Sequence, residues 1–123
     1  MVADDRVLTV ANLHLDPASG ERRTASIDQL VDWLESHLGG PTIVLGDFNG
    51  PLREAWHGTL REAGLRSALD DDAGPTANGF GVAAAMQQID HVFVTADLDV
   101  AAATIHTAAG YASDHYPVTV DLR

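Results

Sequence analysis

Two polar side chains follow directly on an apolar stretch near the middle of the chain. Residues 43–45 are Ile, Val and Leu, and they lead into Gly46, Asp47 and, two residues later, Asn49. This pattern predicts a buried strand that presents a carboxylate and a carboxamide at its C-terminal tip. Burying a lone carboxylate is costly, so Asp47 must face solvent, a partner side chain or a metal ion.

Four further ionisable residues lie at or beside the ends of other apolar segments: His14, Asp90, Asp114 and His115. A hard cation such as Mg²⁺ prefers carboxylate oxygens, which suits Asp114. A neutral imidazole can take a proton near neutral pH, which suits His115, and Asp90 is the candidate carboxylate to orient such a base. His14 has a plainer alternative role, since a strand histidine with a hydrogen-bond partner is more common than a catalytic one.

Together these residue types favour hydrolysis of a phosphoester. Asp47 could bind a metal ion or hold an attacking water, and Asn49 could donate hydrogen bonds to a developing negative charge. A protonated His14 could stabilise the same charge. Water, metal, base and anion-stabilising groups are the components of metal-assisted hydrolysis. Each piece alone is weak evidence, because Gly-Asp-x-Asn is a common turn sequence.

Composition narrows the classes of protein. The 123 residues predict one domain, 1–123, and contain no apolar run long enough to span a bilayer. Met1 is not followed by the basic and apolar segments of a signal peptide, so the location stays open, with the cytoplasm as the default expectation. The absence of cysteine and lysine excludes disulfides, thiolate sites and a P-loop lysine. A net charge of −11 counts against extended nucleic-acid binding, but not against a phosphoester held through a metal ion.

The expected elements form a layered α/β fold, because strands alternate with helices early in the chain and follow one another later. The first helix is expected to begin at a cap formed by Thr24 or Ser26 and to end at residues 39–41. Arg22 and Arg23 precede it, and either could reach a phosphate, although a surface role is more common for arginine. The predicted strands are 6–15, 42–48, 89–95, 100–106 and 116–122, the second helix is 52–65, the loops are 74–86 and 110–115, and the apolar stripe of the first helix is Ile27, Leu30, Val31, Leu34 and Leu38.

Four motifs, in this order, resemble the endonuclease/exonuclease/phosphatase superfamily, which includes deoxyribonuclease I. They are Asn-Leu-His-Leu-Asp at 12–16, Gly-Asp-Phe-Asn at 46–49, Ile-Asp-His-Val-Phe-Val at 89–94 and Ser-Asp-His-Tyr-Pro-Val at 113–118. The resemblance implies the deoxyribonuclease I-like α/β fold, a four-layer α/β/β/α sandwich, of which this chain would be the C-terminal half. It also implies hydrolysis of a phosphoester, either a small molecule or nucleic acid, by in-line attack of water.

The resemblance assigns three residues to the base and the metal ion. His115 matches the general base of the superfamily, and Asp90 matches the carboxylate that orients it. Asp114 matches a metal ligand, and the implied cofactor is Mg²⁺ or Mn²⁺.

Four other residues match positions near the water and the phosphate. Asp47 and Asn49 match the pair that positions the nucleophilic water and contacts the metal ion or the scissile phosphate. His14 matches the histidine that stabilises the transition state, and Asn12 supports it beside the substrate phosphate.

The chain departs from the superfamily in length. Intact members are roughly twice as long, which is still within the ordinary size range of a domain. Their N-terminal half carries a metal-binding Glu, and the residues before Asn12 are too few to include that segment. We therefore expect weak Mg²⁺ binding, slight activity and an uncovered sheet face that favours self-association or a missing N-terminal half as partner. The alternative function is a catalytically impaired half-domain that acts through association, and a simple acidic metal-binding module is a weaker third.

Overall fold

The computed structural model describes residues 7–37 and 40–123. Within these ranges no helix is long and apolar enough to cross a membrane. Short 3₁₀ turns cover Gly79–Gly81, Ala83–Ala85 and Thr107–Ala109. The helices and strands, in chain order, are β1 (Thr9–His14), α1 (Gly20–His37), β2 (Thr42–Asp47), α2 (Ala55–Glu62), β3 (Leu65–Ser67), β4 (Asp90–Thr95), β5 (Val100–Ile105) and β6 (Val118–Leu122).

The main sheet has four strands in the order β1-β2-β4-β3. β1 and β2 run parallel and are connected through α1, whereas β4 pairs antiparallel with both β2 and β3. β5 and β6 form a separate antiparallel pair. The predicted α/β class is therefore confirmed, with strands and helices alternating early and strands predominating late.

One side of the main sheet, which we call the helix face, is covered by both helices. Val44 of β2 and Phe93 of β4 point to this side and are fully buried. The apolar stripe of α1 packs here through Ile27 and Leu34, and α2 contributes Trp56. Residues three or four apart share one side of a helix, which is why the periodic apolar positions of α1 meet the sheet together.

The opposite side of the main sheet, which we call the site face, carries three rows of side chains across β1, β2 and β4. Alternate residues of a strand point to opposite faces, so the register of the strands defines the rows. Exposure falls across this face, from Val10 in β1, which is 54% exposed, to Val94 in β4, which is buried. The rows are Val10–Ile43–Val94, Asn12–Leu45–Val92 and His14–Asp47–Asp90.

The start of α1 differs from the prediction. The expected cap at Thr24 or Ser26 is wrong, because the helix already begins at Gly20. Ser19 provides the cap instead: its Oγ accepts the backbone N–H of Arg22 at 3.2 Å, which satisfies one of the free donors in the first turn.

The second predicted helix is too long at both ends. α2 covers only Ala55–Glu62, and Leu65 lies in β3, a strand that the sequence did not predict. Gly64, with a φ of 89°, reverses the chain between the two elements in a conformation that favours glycine. Arg6 of the first predicted strand and Leu38 of the predicted stripe lie outside the described residues.

Candidate active site

A polar row ends the site face at the tips of β1 and β2. In the register of the sheet His14 lies opposite Asp47, and Asp47 lies opposite Asp90. The Nε2 atom of His14 is 3.5 Å from Oδ2 of Asp47. Three side chains that are distant in the sequence are thus brought together by strand pairing alone.

A fourth ionisable side chain, His115, reaches this row from the loop before β6. Its Nδ1 is 2.7 Å from Oδ2 of Asp90, and its Nε2 is 3.8 Å from Oδ2 of Asp47. An ionised carboxylate only accepts hydrogen bonds, so Nδ1 carries the proton of the short contact and Nε2 is the acceptor of the neutral ring. The nitrogen that could take a proton therefore faces the polar row.

The pKa of His115 is raised above its ordinary value. Partial burial of the ring lowers this pKa, but the hydrogen bond to Asp90 and the negative charges of Asp90, Asp47 and Asp114 raise it by more. The surroundings therefore stabilise the imidazolium, the form that the ring would take after accepting a proton.

The turn after β2 fixes Asn49 beside Asp47. Asn49 has a left-handed backbone conformation, with a φ of 50°, which asparagine adopts more readily than most residues. Its N–H donates to Oδ1 of Asp47 at 2.8 Å, and its Nδ2 donates to the carbonyl of Leu15 at 2.7 Å. At Gly46 any side chain would overlap the carbonyl oxygen of Leu13, so the close approach of β1 to this turn requires glycine.

An ion pair lies behind this turn. Arg23 donates from Nε and Nη2 to the two carboxylate oxygens of Glu54, at 2.9 and 2.6 Å, and Trp56 Nε1 donates to the same carboxylate at 2.7 Å. The hydrogen bond from Arg23 is the main reason that the pKa of Glu54 is lowered. The carboxylate packs against Gly50, where a side chain would overlap it. The pair therefore supports the turn that carries Asn49.

This ion pair was missed in the sequence analysis. The expectation that Arg23 lies on the surface is wrong, because only 8% of the residue is exposed. No local spacing links Arg23 to Glu54. A usable signal was the position of Glu54 shortly after the Gly-Asp-x-Asn turn, where a carboxylate needs a partner if it is buried.

His91 is a second residue that the sequence analysis missed. It is adjacent to Asp90 but points to the opposite side of β4, where it is buried and its Nε2 donates to the carbonyl of Gly50 at 2.8 Å. Burial lowers its pKa, so this ring stays neutral. Its Nδ1 has no hydrogen-bond partner within the part of the chain that the structure describes. His91 thus ties β4 to the turn after β2.

The polar row offers a donor set that fits a divalent cation. One ligand atom each from Asp47, Asp90 and His115 lie within 4.8 Å of one another. Carboxylate oxygens suit Mg²⁺, and imidazole suits transition metals. Each carboxylate has one oxygen in a hydrogen bond, Asp90 with His115 and Asp47 with the N–H of Asn49, which leaves one oxygen of each for a cation.

Two predicted site residues lie at the margin of this group. Asp114 is exposed, its carboxylate is not among the clustered ligand atoms, and its Oδ1 is 3.4 Å from the hydroxyl of Ser113. Asn12 is exposed on β1, two residues before His14 and therefore on the same face. The roles of Asp114 as metal ligand and of Asn12 as phosphate contact stay predictions.

A cleft of about 260 Å³ lies beside the polar row. Its walls are apolar on the site face, at Leu45 and Val92, and acidic at Asp47 and Asp90. Tyr116, which follows His115, also lines it. The acidic groups therefore sit at the edge of an apolar recess.

Comparison with known families identified one matching family model. The model described as "Endonuclease/Exonuclease/phosphatase family" matches residues 3–115. A comparison with curated proteins found no match.

Comparison with solved structures found the same fold in several organisms. An endonuclease/exonuclease/phosphatase from Bacteroides vulgatus has a TM-score of 0.74 at 25% identity, over 89% of this chain and 47% of that one. A mannosyl-6-phosphatase from Bacteroides thetaiotaomicron has 0.70 at 24%, over 91% and 49%. A 3′ phosphatase from Neisseria, bound to a product DNA hairpin, has 0.69 at 19%, over 93% and 60%. The chain spans about half the length of the first two, consistent with a partial deoxyribonuclease I-like fold.

Proposed function

The chain belongs to the endonuclease/exonuclease/phosphatase family, and from that premise we propose that it is a divalent-metal-dependent phosphoester hydrolase. Members of this family are generally hydrolytic enzymes, phosphatases and nucleases among them. The observation that carries the proposal is the contact of 2.7 Å between Nδ1 of His115 and Oδ2 of Asp90, with Nε2 of His115 facing Asp47.

In the proposed reaction His115 is the general base. Its Nε2 takes a proton from the attacking water, and the Nδ1–H group continues to donate to Asp90. The carboxylate of Asp90 orients the ring and stabilises the imidazolium that forms. The raised pKa of His115 favours this transfer, because the protonated product is held by nearby negative charge.

Asp47, Asn49 and Asp114 are the residues proposed to hold Mg²⁺ or Mn²⁺. Such an ion, when bound, supplies positive charge that offsets the charge developing on the phosphate oxygens. Without such an ion, the carboxylates of the polar row would repel a phosphate group, since Asp47 and Asp90 are adjacent in the sheet.

His14, Asn49 and Asn12 are the residues proposed to contact the substrate phosphate. His14 lies beside Asp47 at the exposed β1 end of the polar row. Because 73% of its side chain is exposed, it can reach a ligand that enters from solvent. A side-chain amide can donate to a phosphate oxygen without adding charge. The family assignment, rather than any single distance, is the basis for the role of Asn12.

A small phosphoester is the substrate class that we favour over duplex DNA. The net charge is −11 and the chain has no lysine, so it lacks the basic surface that nucleic-acid binding requires. Among similar structures, one is a mannosyl-6-phosphatase and another is a 3′ phosphatase bound to DNA, so both substrate classes occur on this fold.

Hydrolysis of bis-(p-nitrophenyl) phosphate and p-nitrophenyl phosphate tests the proposal. We expect release of nitrophenol with Mg²⁺ or Mn²⁺, loss of activity with a chelator, and a loss of about 10²–10⁴-fold in His115→Ala. His37→Ala, which changes an exposed histidine on α1, is the control and should keep the rate. Absence of metal-dependent turnover of either ester at high protein concentration would exclude hydrolysis by this chain alone.

A second candidate function is association of an impaired half-domain with another chain. Two observations favour it: Val10 on the site face is 54% exposed beside a row of apolar neighbours, and the chain spans about half of similar structures. Light scattering of the purified chain over a range of concentrations tests self-association. A constant monomer mass at high concentration, together with inactivity, would leave only a different chain as the partner.

A further inference from the structure

One three-residue segment is hydrogen-bonded both to the backbone of Asp90 and to the backbone on either side of His115. The segment is Thr76, Ala77 and Asn78, and we call it the strap. Sequence patterns place it in a long loop, 74–86, rich in glycine and alanine. Its two polar residues, Thr76 and Asn78, are nevertheless fully buried. Buried polar side chains in a loop are informative, because they are retained only with hydrogen-bond partners.

Thr76 holds the start of β4. Its Oγ1 accepts the backbone N–H groups of Ile89 and Asp90, at 3.0 and 2.9 Å. Its own carbonyl accepts the N–H of Tyr116, the residue after His115, at 2.7 Å. One residue therefore fixes the backbone of Asp90 and the backbone next to His115.

Asn78 holds the loop that carries His115. Its N–H donates to the carbonyl of Asp114 at 2.7 Å, and its Nδ2 donates to the carbonyl of Ser113 at 2.9 Å. Its Oδ1 accepts the N–H of Phe80 at 2.8 Å. Between the two polar residues, Ala77 pairs as an isolated antiparallel bridge with His115.

We propose that Thr76 and Asn78 are positioning residues, which set the separation of Asp90 and His115 through the strap. His115 lies in an irregular segment, since residues 106–117 belong to none of the strands, and the sheet does not fix its distance from β4. The strap supplies hydrogen bonds to both sides of the 2.7 Å contact. Its effect on rate rests on the proposed function, whereas its effect on the contact itself does not.

The strap should affect the chemical step more than substrate binding. A small displacement of a catalytic group, on the order of 1 Å, can cost about 10²-fold in rate. Thr76→Val keeps the shape of the side chain but removes the acceptor of two backbone N–H groups. We expect this variant to lose about 10- to 100-fold in kcat with little change in KM. Thr76→Ser, which restores a hydroxyl, should recover most of that loss.

The matched control is Thr95→Val, at the other end of β4. Thr95 Oγ1 also accepts a backbone N–H, that of Thr42 at 2.9 Å, and the residue is partly buried, whereas Thr76 is fully buried. The control therefore removes a comparable hydrogen bond from the same strand, remote from the polar row. It should keep kcat and the geometry of His115.

The test combines kinetics with NMR of the ring protons of the full chain. The hydrogen-bonded Nδ1 proton of His115, assigned by its loss in His115→Gln, reports the contact with Asp90 whether or not the protein turns over substrate. We expect its signal to persist in the wild type, in Thr76→Ser and in Thr95→Val, and to broaden or shift upfield in Thr76→Val. If Thr76→Val does not fold, Asn78→Asp, which places a carboxylate against the carbonyl of Ser113, serves on the same readout with the same expectation.

An unchanged Nδ1 signal in the folded strap variant would overturn the proposal, as would an equal loss in Thr95→Val. A wild type that shows the signal but hydrolyses no ester would refute the proposed function and leave the strap to be judged on the signal alone. A lost signal with kcat unchanged would mean that the strap sets the contact but that the contact does not limit the rate, which also overturns the positioning role.

Discussion

The two faces of the main sheet are built from the same strands but differ in burial and in polarity. On the helix face, Phe93 and Val44 are completely excluded from solvent by the two helices. On the site face, burial falls off toward β1, where Val10 is largely exposed, and the last row is polar. Adjacent residues of one strand, such as Val92 and Phe93, therefore contribute to different properties of the molecule.

The difference explains where chemistry can occur in this chain. A fully packed face excludes water and fixes every side chain, which favours stability. A partly covered face leaves a recess next to ionisable groups, and it is here that Asp47, Asp90 and His115 meet. The helix face supports them from behind, through the hydrogen bond from His91 to the carbonyl of Gly50 and the packing of the Glu54 carboxylate against Gly50.

The largest difference between the faces is expected in core substitutions. Phe93→Ala should lower the free energy of unfolding by about 3–5 kcal/mol, because it opens a cavity beside the rings of Phe48 and His57, whose centroids each lie 5.5 Å from that of Phe93. Val92→Ala, the neighbouring position on the site face, should cost about 1 kcal/mol, since its side chain already borders a cleft. Urea unfolding of both variants checks this, and equal losses would show that the site face is packed as tightly as the helix face.

Arg23→Met should lower the free energy of unfolding by about 3 kcal/mol. The substitution leaves the carboxylate of Glu54 without its arginine partner in a partly buried position. The double variant Arg23→Met with Glu54→Gln should recover part of this loss, since the uncompensated charge is gone. Thermal or urea unfolding measures both. A single variant as stable as the wild type would mean that water replaces the arginine and that the pair contributes little support to the turn.

The order of the elements, apart from β3, and the placement of three candidate site residues at strand ends were predictable from sequence for a physical reason. Apolar runs mark strands, and polar residues at their ends must leave the core, so His14, Asp47 and Asp90 were expected at strand tips. The period of two along β4 places Asp90 and His91 on opposite faces, which is visible in the sequence once the strand is recognised.

Long-range pairings and loop contacts were not predictable in the same way. The partner of Arg23 is Glu54, and nothing in the spacing of these two residues indicates the pair. The polar contacts of Thr76 depend on the path of a loop, which composition does not determine. The cap of α1 was misplaced because several hydroxyl residues precede the apolar stripe, and only the hydrogen bond of Ser19 distinguishes them.

The pKa values of the two histidines near Asp90, one on each face of the sheet, should be shifted in opposite directions. The pKa of His115, on the site face, is raised by its bond to Asp90 and by nearby carboxylates despite its partial burial, so it should lie above the ordinary value of about 6.5. Burial lowers the pKa of His91, on the helix face, below that value despite its bond to Gly50. Imidazole NMR of the metal-free chain measures both.

Asp90→Asn sharpens this expectation. It removes the hydrogen-bonded charge that raises the pKa of His115 most and leaves the effects of burial, Asp47 and Asp114, so that pKa should fall. Any rate that depends on neutral His115 would then begin to rise at a lower pH, with a lower maximum because the base is no longer oriented. Unchanged titration of His115 in Asp90→Asn would show that the contact at 2.7 Å is not formed in solution.

The smallest effect is expected at the exposed edge of the site face, in Val10→Thr. At low protein concentration this nearly isosteric change should alter the free energy of unfolding by less than about 0.5 kcal/mol, since Val10 is 54% exposed. If the site face associates with a second copy, the wild type gains stability as its concentration rises, because an assembly that binds only the folded state stabilises it by mass action. Val10→Thr should reduce that gain. Unfolding midpoints at two widely separated concentrations measure it, and midpoints that stay constant in the wild type would show that the exposed edge tolerates solvent without a second copy to cover it.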